Sequence, residues 1–289
     1  MTARISLSAI AAFAFLLGAE AQAQDTAPNG APTRPLWELG VAAGGFYSPD
    51  YPAADKNSLH VLALPNLIYR GDFFRMGRDS IAKGVFFEND YAELNVSLAA
   101  SFNANSSDNS ARRGMPDLDY LAEIGPQLKI KLGGLYGGRT EVQLPVRAVF
   151  STDFGRVDQR GFLFNPKLSH ERRNIFNSGI DLGSSIGSSF ATKKLQEYFY
   201  RVEPQFATAS RPAYEADGGY LGSDMTLGLS YGITDRVRVY AGWRVGYYGG
   251  AANEESPLFR QKVGTSVYAG FTWSLYQSDT RVISPGGAR

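Results

Sequence analysis

The feature that most constrains this chain is an alternation of large apolar with small or polar side chains, repeated in eight separate segments. A strand sends successive side chains to opposite faces, so a period of two marks a sheet with one apolar and one polar side. From Tyr91 to Phe102, the residues Ala92, Leu94, Val96, Leu98, Ala100 and Phe102 share one face, and Glu93, Asn95, Ser97 and Ser101 share the other. The same split runs through 37–44, 123–132, 141–150, 180–190, 221–231, 237–246 and 266–275, with Leu221 on the apolar side beside Met225, Leu227 and Leu229. Every ionisable residue of these segments lies opposite the apolar side chains: Glu38, Glu93, Glu123, Lys129, Lys131, Glu141, Arg147, Asp181, Asp224, Arg238 and Arg244. Independent placement would produce that outcome with odds of roughly one in two thousand.

Alternation alone fits a soluble sandwich as well as a membrane barrel. Three further features choose the barrel. The polar faces are built mainly of Gly, Ser, Ala and Thr, as suits side chains crowded in a lumen. Short turns near Arg70-Gly71-Asp72, Glu88-Asn89-Asp90, 171–174 and 232–236 alternate with long connections at 47–58, 103–119, 191–217 and 249–262. Aromatic residues, among them Trp37, Tyr47, Tyr69, Phe86, Phe102, Phe190 and Tyr247, gather at strand ends, where the two membrane interfaces would lie. Adding weaker segments at 59–69, 72–78, 80–87 and 161–170 gives an all-β, antiparallel transmembrane barrel of about twelve strands. Reading 72–87 as one long bulged strand gives ten. A soluble sheet closed around so wide an interior would leave a void, because roughly eight strands is what side chains can fill. The short turns are expected in the periplasm and the long loops outside the cell.

The N-terminus supplies the route. Arg4, the apolar run Ile5 to Leu17 and Ala21-Gln22-Ala23 match the charged region, apolar region and small-x-small site of an export signal, so 1–23 is expected to be removed. The run is shorter than the roughly 18 to 20 apolar residues that span a bilayer. Residues 24–35 then form a periplasmic segment, 36–276 the barrel and 277–289 a periplasmic tail, with both ends expected to be flexible. The absence of cysteine removes disulfides and thiolate metal sites, and fits a Gram-negative envelope better than a eukaryotic secretory pathway. Lys and Arg number 29 against 28 Asp and Glu, with the signs interspersed, which argues against a nucleic-acid partner.

Several stretches resemble the MltA-interacting protein/OmpV family of bacterial outer-membrane proteins. They are Trp37-Glu38-Leu39-Gly40 with Asp50-Tyr51, the run 64–72, Ala111-Arg112-Arg113-Gly114-Met115-Pro116-Asp117-Leu118-Asp119, the runs 144–148 and 164–168, and Tyr198-Phe199-Tyr200-Arg201-Val202 followed by 211–214. The likeness covers nearly all of the chain after residue 23, in order. It departs at the end, where 13 residues follow Tyr276 although such barrels usually finish on an aromatic residue read by the outer-membrane insertion machinery. The resemblance implies a non-enzymatic scaffold in peptidoglycan biosynthesis, linking a lytic murein transglycosylase to a penicillin-binding murein synthase. Together with the barrel reading, the expectation is no cofactor, and as partners outer-membrane lipid, the insertion machinery and, by the resemblance, those enzymes. The alternative is a narrow diffusion channel for small solutes.

Candidate chemistry is sparse. The two histidines are His60 and His170. Ser169 adjoins His170, and on a strand that sends the two side chains to opposite faces, so they cannot act as nucleophile and base. Gly133-Gly134 and Gly137-Gly138 have no following helix to support a phosphate cradle and read as a glycine turn. Asp108, Asp117 and Asp119 could offer oxygen ligands but lack the spacing of a calcium loop, which favours a self-capping loop. The charges on the polar face must either pair across the lumen or line a wet path, and pairing is the preferred reading.

Overall fold

The computed structural model describes residues 25–26, 32–77 and 82–283. The export signal assigned to 1–23 and the last six residues of the tail lie outside the described residues. Two short strands, β1 (Asp25–Thr26) and β2 (Pro32–Pro35), come first. They are followed by β3 (Trp37–Pro49), β4 (Asn57–Arg70), β5 (Phe74–Met76), β6 (Ala82–Glu88), β7 (Ala92–Ser101), β8 (Tyr120–Lys131) and β9 (Arg139–Thr152). Next come β10 (Val157–Phe164), β11 (Lys167–Ile175), β12 (Ile180–Ala191), the helix α1 (Lys193–Tyr200), β13 (Gly219–Gly232), β14 (Val237–Tyr247), β15 (Val263–Gln277) and β16 (Arg281–Ile283).

Strands β3 to β15 form one antiparallel sheet, and β15 pairs with β3 from Val267↔Tyr47 to Gln277↔Glu38, which closes it into a barrel. Both β10 and β11 pair with β9 on one side and β12 on the other. They are therefore two halves of one stave, interrupted at Asn165-Pro166, where proline cannot donate to the ladder. The barrel has twelve staves. Segment 72–87 contributes two of them, β5 and β6, which settles the choice between ten and twelve.

The apolar face points outward. Leu59, Val61, Ile124, Val146, Ile186, Met225, Trp243, Phe271 and Trp273 are all exposed, whereas Glu38, Glu93, Asn95, Ser97, Lys129, Glu141 and Asp181 are buried inside. This inverts the ordinary soluble pattern and is what a lipid-facing wall requires.

Four details depart from the sequence expectations, each for a local reason. Leu221 faces inward, because the β12–β13 ladder shifts register between Ser189 and Phe190 and skips Leu221. Such a bulge reverses the phase of the alternation. Phe102 also turns in, since β7 ends at Ser101 and releases it to stack on His60 with ring centres 4.1 Å apart. The turn placed at 171–174 lies further on, because β11 runs to Ile175. Arg70 is no turn residue but the buried last residue of β4.

Candidate functional site

The inner wall is a set of ion pairs between neighbouring or nearby staves. Arg147 Nε bonds Glu123 Oε2 at 2.8 Å across β8–β9, and Arg238 bonds Asp181 at 3.3 Å and Ser230 Oγ at 3.0 Å. Arg244 bonds Asp224 at 3.0 Å. Lys83 Nζ donates to Glu93 Oε1 at 2.8 Å, Asn95 donates to the same oxygen, and Lys129 lies opposite Glu93 in the β7–β8 ladder. Arg139 approaches Glu141 at 3.4 Å, and Lys131 binds Glu88 Oε1 at 3.1 Å and the Asn89 carbonyl at 2.8 Å. Each partner lowers the cost of holding its opposite away from bulk water. The Arg244 side chain, which its register faces inward, is only loosely packed by its neighbours, with 53% of its surface uncovered.

Tyrosine rings fill much of the remaining wall. Tyr268 lies so close over Gly228 and Gly242 that a Cβ at 242 would sit 2.1 Å from its ring. Only glycine leaves that space, so the two glycines act as a socket for the ring. Phe46, Tyr240 and Ala42 complete this inner apolar patch.

At the long-loop end the lumen is plugged. The long loops fold together instead of standing open, contributing Tyr51, Ala54, Ala104, Leu118, Phe199, Tyr200, Val202, Ala216 and Leu258 to one buried cluster. That cluster rests on Leu121, Val149, Ala191 and Leu221 from four staves. Helix α1, which the strand pattern did not announce, drives Leu195, Gln196, Phe199 and Tyr200 into it. Gln196 Oε1 accepts from Asn253 at 3.0 Å, Tyr200 Oη donates to the Pro52 carbonyl at 2.9 Å, and Tyr51 Oη donates to the Leu258 carbonyl at 2.8 Å. A bulge in β10 turns Arg160 onto Ser151 Oγ and over the Tyr198 ring, 4.6 Å from its centre.

The run 111–119, one of those that carry the family resemblance, is the clasp of this plug. Arg112 is buried and donates to the carbonyls of Phe199 at 3.1 Å and Pro116 at 3.2 Å, while its guanidinium lies 5.7 Å from the centre of the Tyr51 ring. Arg211 NH1 clamps the carbonyls of Ala111 and Arg113 at 2.9 and 3.0 Å. Gly114 takes φ +82°, a turn that suits glycine, and Met115 packs on the cluster. Asp117 caps Ser106 N at 2.7 Å, Leu118 bridges to Ala104, and Asp119 N meets Tyr198 Oη at 2.6 Å. Burial, reinforced by the Asp119 carboxylate, pushes the Tyr198 phenol up to about 12. Among the described residues no group of three His, Asp or Glu side chains converges to hold a metal ion.

Near the short-turn end the described terminal residues 25–26, 32–35 and 281–283 pair with one another. Strand β2 runs between β1 and β16 in a small antiparallel sheet. Arg70 NH1 donates to the Pro35 carbonyl at 2.7 Å and NH2 to Glu38 Oε1 at 2.5 Å. Glu38 Oε2 also accepts from Ser274 Oγ at 2.8 Å and Gln277 at 3.3 Å, so one carboxylate ties β3, β4 and β15 at the seam of the barrel. Arg34 of β2 is buried there as well.

A model of the family described as MltA-interacting protein MipA matches residues 41–275. The chain belongs to the MltA-interacting protein family. Comparison with curated protein sequences gives no match. Similar solved structures include a NanC porin (10% identity, TM-score 0.37, covering 82% of this chain and 100% of that one). They also include a bacterial polysaccharide outer membrane secretin (8%, TM-score 0.40, 83% and 99%). A third is outer membrane phospholipase A from Escherichia coli (13%, TM-score 0.34, 82% and 92%). As a member of the MltA-interacting protein family with a closed barrel and an apolar outer wall, the protein resides in the bacterial outer membrane.

In this family member the two histidines stay apart in role as well as in place. His60 faces the lumen against Phe102, while His170 faces out, its Nδ1 2.9 Å from Thr140 Oγ1. Ser169 faces in and bonds Gln143 at 3.0 Å. Sequence reasoning missed Arg70, Lys83, Arg112 and Arg211. The parity of β4 places Arg70 with Glu38, so that signal was present. Arg112 and Arg211 stand in loops, which carry no period.

Proposed function

We propose that the barrel is a non-enzymatic scaffold holding a murein transglycosylase and a penicillin-binding murein synthase at the periplasmic face of the outer membrane. The observation that carries this reading is that the long loops pack into one buried cluster over their end of the lumen, while β1, β2 and β16 pair into a small separate sheet. A barrel closed by its own segments is better suited to holding partners than to passing solute. The family's printed description names an MltA-interacting protein, which supports the first of the two partners. Tight turns provide little area against the roughly 800 Å² per side of an ordinary interface, so the terminal sheet is the natural docking ground.

The test is affinity capture with purified murein transglycosylase and penicillin-binding synthase, using the intact barrel and a variant lacking 24–34 and 280–289. The intact protein should retain both enzymes, and the truncated one should remain a folded, heat-modifiable barrel that retains neither. Capture by the truncated barrel at full yield would remove the terminal sheet as the docking surface. Failure of the intact protein to capture either enzyme would favour the second reading, a narrow diffusion channel for small solutes. The loosely packed Arg244 on the inner wall is what speaks for that channel.

A further inference from the structure

Charge is almost wholly excluded from the outer face of the barrel. Among the ladder-paired, outward-facing positions of the described strands, Arg172 is the only Lys, Arg, Asp or Glu, and His170 is its neighbour two residues away on the same face. Both stand near the periplasmic end of β11. Their register is fixed by the pairs His170↔Ser184 and Arg172↔Leu182, with the inward Glu171 bonded to Arg139 at 2.8 Å on the other side of the sheet.

The local structure leaves Arg172 exposed and His170 partly covered. Thr140 Oγ1 engages His170 Nδ1, and the Cε1–Nε2 edge of the ring lies beside Gly138. The glycine turn 133–138 lies directly over them: a Cβ at Gly138 would stand 2.7 Å from the His170 ring, and one at Gly137 would stand 3.9 Å from Arg172 Nε. Glycine at these positions lets the turn pass close to the cation without covering it. No described carboxylate pairs with Arg172. Tyr136 and Phe176, each 89% exposed, sit at the tips of the two turns flanking the pair, and both take positive φ, at +51° and +54°. Bulky residues seldom adopt that backbone.

An arginine on a lipid-facing wall is costly at mid-depth and is tolerated where its head reaches the interface. At the periplasmic end of an outer-membrane barrel, the groups that meet it are the phosphodiesters of the inner leaflet. We propose that Arg172, His170 and Thr140, under the 133–138 turn, form a headgroup site for an anionic phospholipid. The phosphodiester is held by the guanidinium and imidazole, the acyl chains run up the wall along Leu168 and Leu182, and Tyr136 and Phe176 flank the headgroup. This site is independent of the scaffold reading.

The test is native mass spectrometry of the intact protein after reconstitution in vesicles of equal parts phosphatidylglycerol and phosphatidylethanolamine. The wild-type barrel should retain phosphatidylglycerol in preference, and His170→Gln/Arg172→Gln should reduce that preference about fivefold, the effect of one near-surface cation on an anionic lipid. Arg172→Lys should keep most of it, and heat-modifiability should be unchanged in every variant. Equal retention of the two lipids by the wild type, or undiminished preference in the double variant, would overturn the site. Displacement of phosphatidylglycerol by excess inorganic phosphate would show a bare anion site in place of a lipid one and would overturn the assignment equally.

Discussion

At the scale of single residues, the account rests on which side of the wall each side chain faces. Val96 and Leu144 face lipid, so Val96→Arg or Leu144→Arg places a charge near mid-depth and should destabilise the folded barrel by about 2 to 4 kcal/mol, measured by unfolding titration in lipid vesicles. A loss below about 1 kcal/mol would mean that those positions do not meet hydrocarbon. Glu38 makes a second prediction. It receives Arg70, Ser274 and Gln277 at the seam, and Glu38→Ala leaves Arg70 buried without its carboxylate, which should cost about 3 to 5 kcal/mol. The double variant Glu38→Leu/Arg70→Met should recover part of that loss, because removing both charges also removes their desolvation cost. Equal instability of the single and double variants in the same titration would show that the pair's charge is not what holds the seam. Face assignment was legible in the sequence wherever the ladder is regular. It failed at Leu221 and Phe102, where a bulge and a strand end break the period.

At the scale of elements, strands were readable and the packed loops were not. The alternation gives β7, β8 and β15 almost to their ends, because each strand must satisfy one apolar and one polar environment along its length, whereas β3 runs on to Pro49, into the connection expected from residue 47. Helix α1 escaped notice because eight residues carry only two helical turns. Its buried Leu195/Phe199 and Gln196/Tyr200 spacings of four were its only trace. The terminal sheet escaped for a related reason, since two to four paired residues per strand carry no period at all. The plug makes its own prediction. Burial raises the Tyr198 phenol to about 12 from an ordinary value near 10, so the folded plug holds that proton more tightly than the open chain does. Stabilisation from this group is therefore complete below about pH 10 and is lost as the pH rises towards about 12. Tyr51 and Tyr200, raised by the same burial, act in the same direction. Protease cleavage within 191–217 should increase across that interval, and Tyr198→Phe should reduce the increase. Cleavage that does not change between pH 10 and 12 would contradict the packing described for the plug.

At the scale of the whole molecule, the sequence foresaw twelve staves, an outward apolar wall and long loops at one end. It did not foresee that those loops pack together over the lumen, because that closure depends on contacts between segments far apart in the chain, such as Tyr51 with Leu258 and Arg112 with Phe199. The scaffold proposal depends on that closure. The most direct measurement is ionic conductance of the purified full-length barrel in a planar bilayer at neutral pH. The account predicts a flat trace, with no unitary current steps under voltage. Stable, reproducible unitary steps would show an open path past Arg244 and would contradict it.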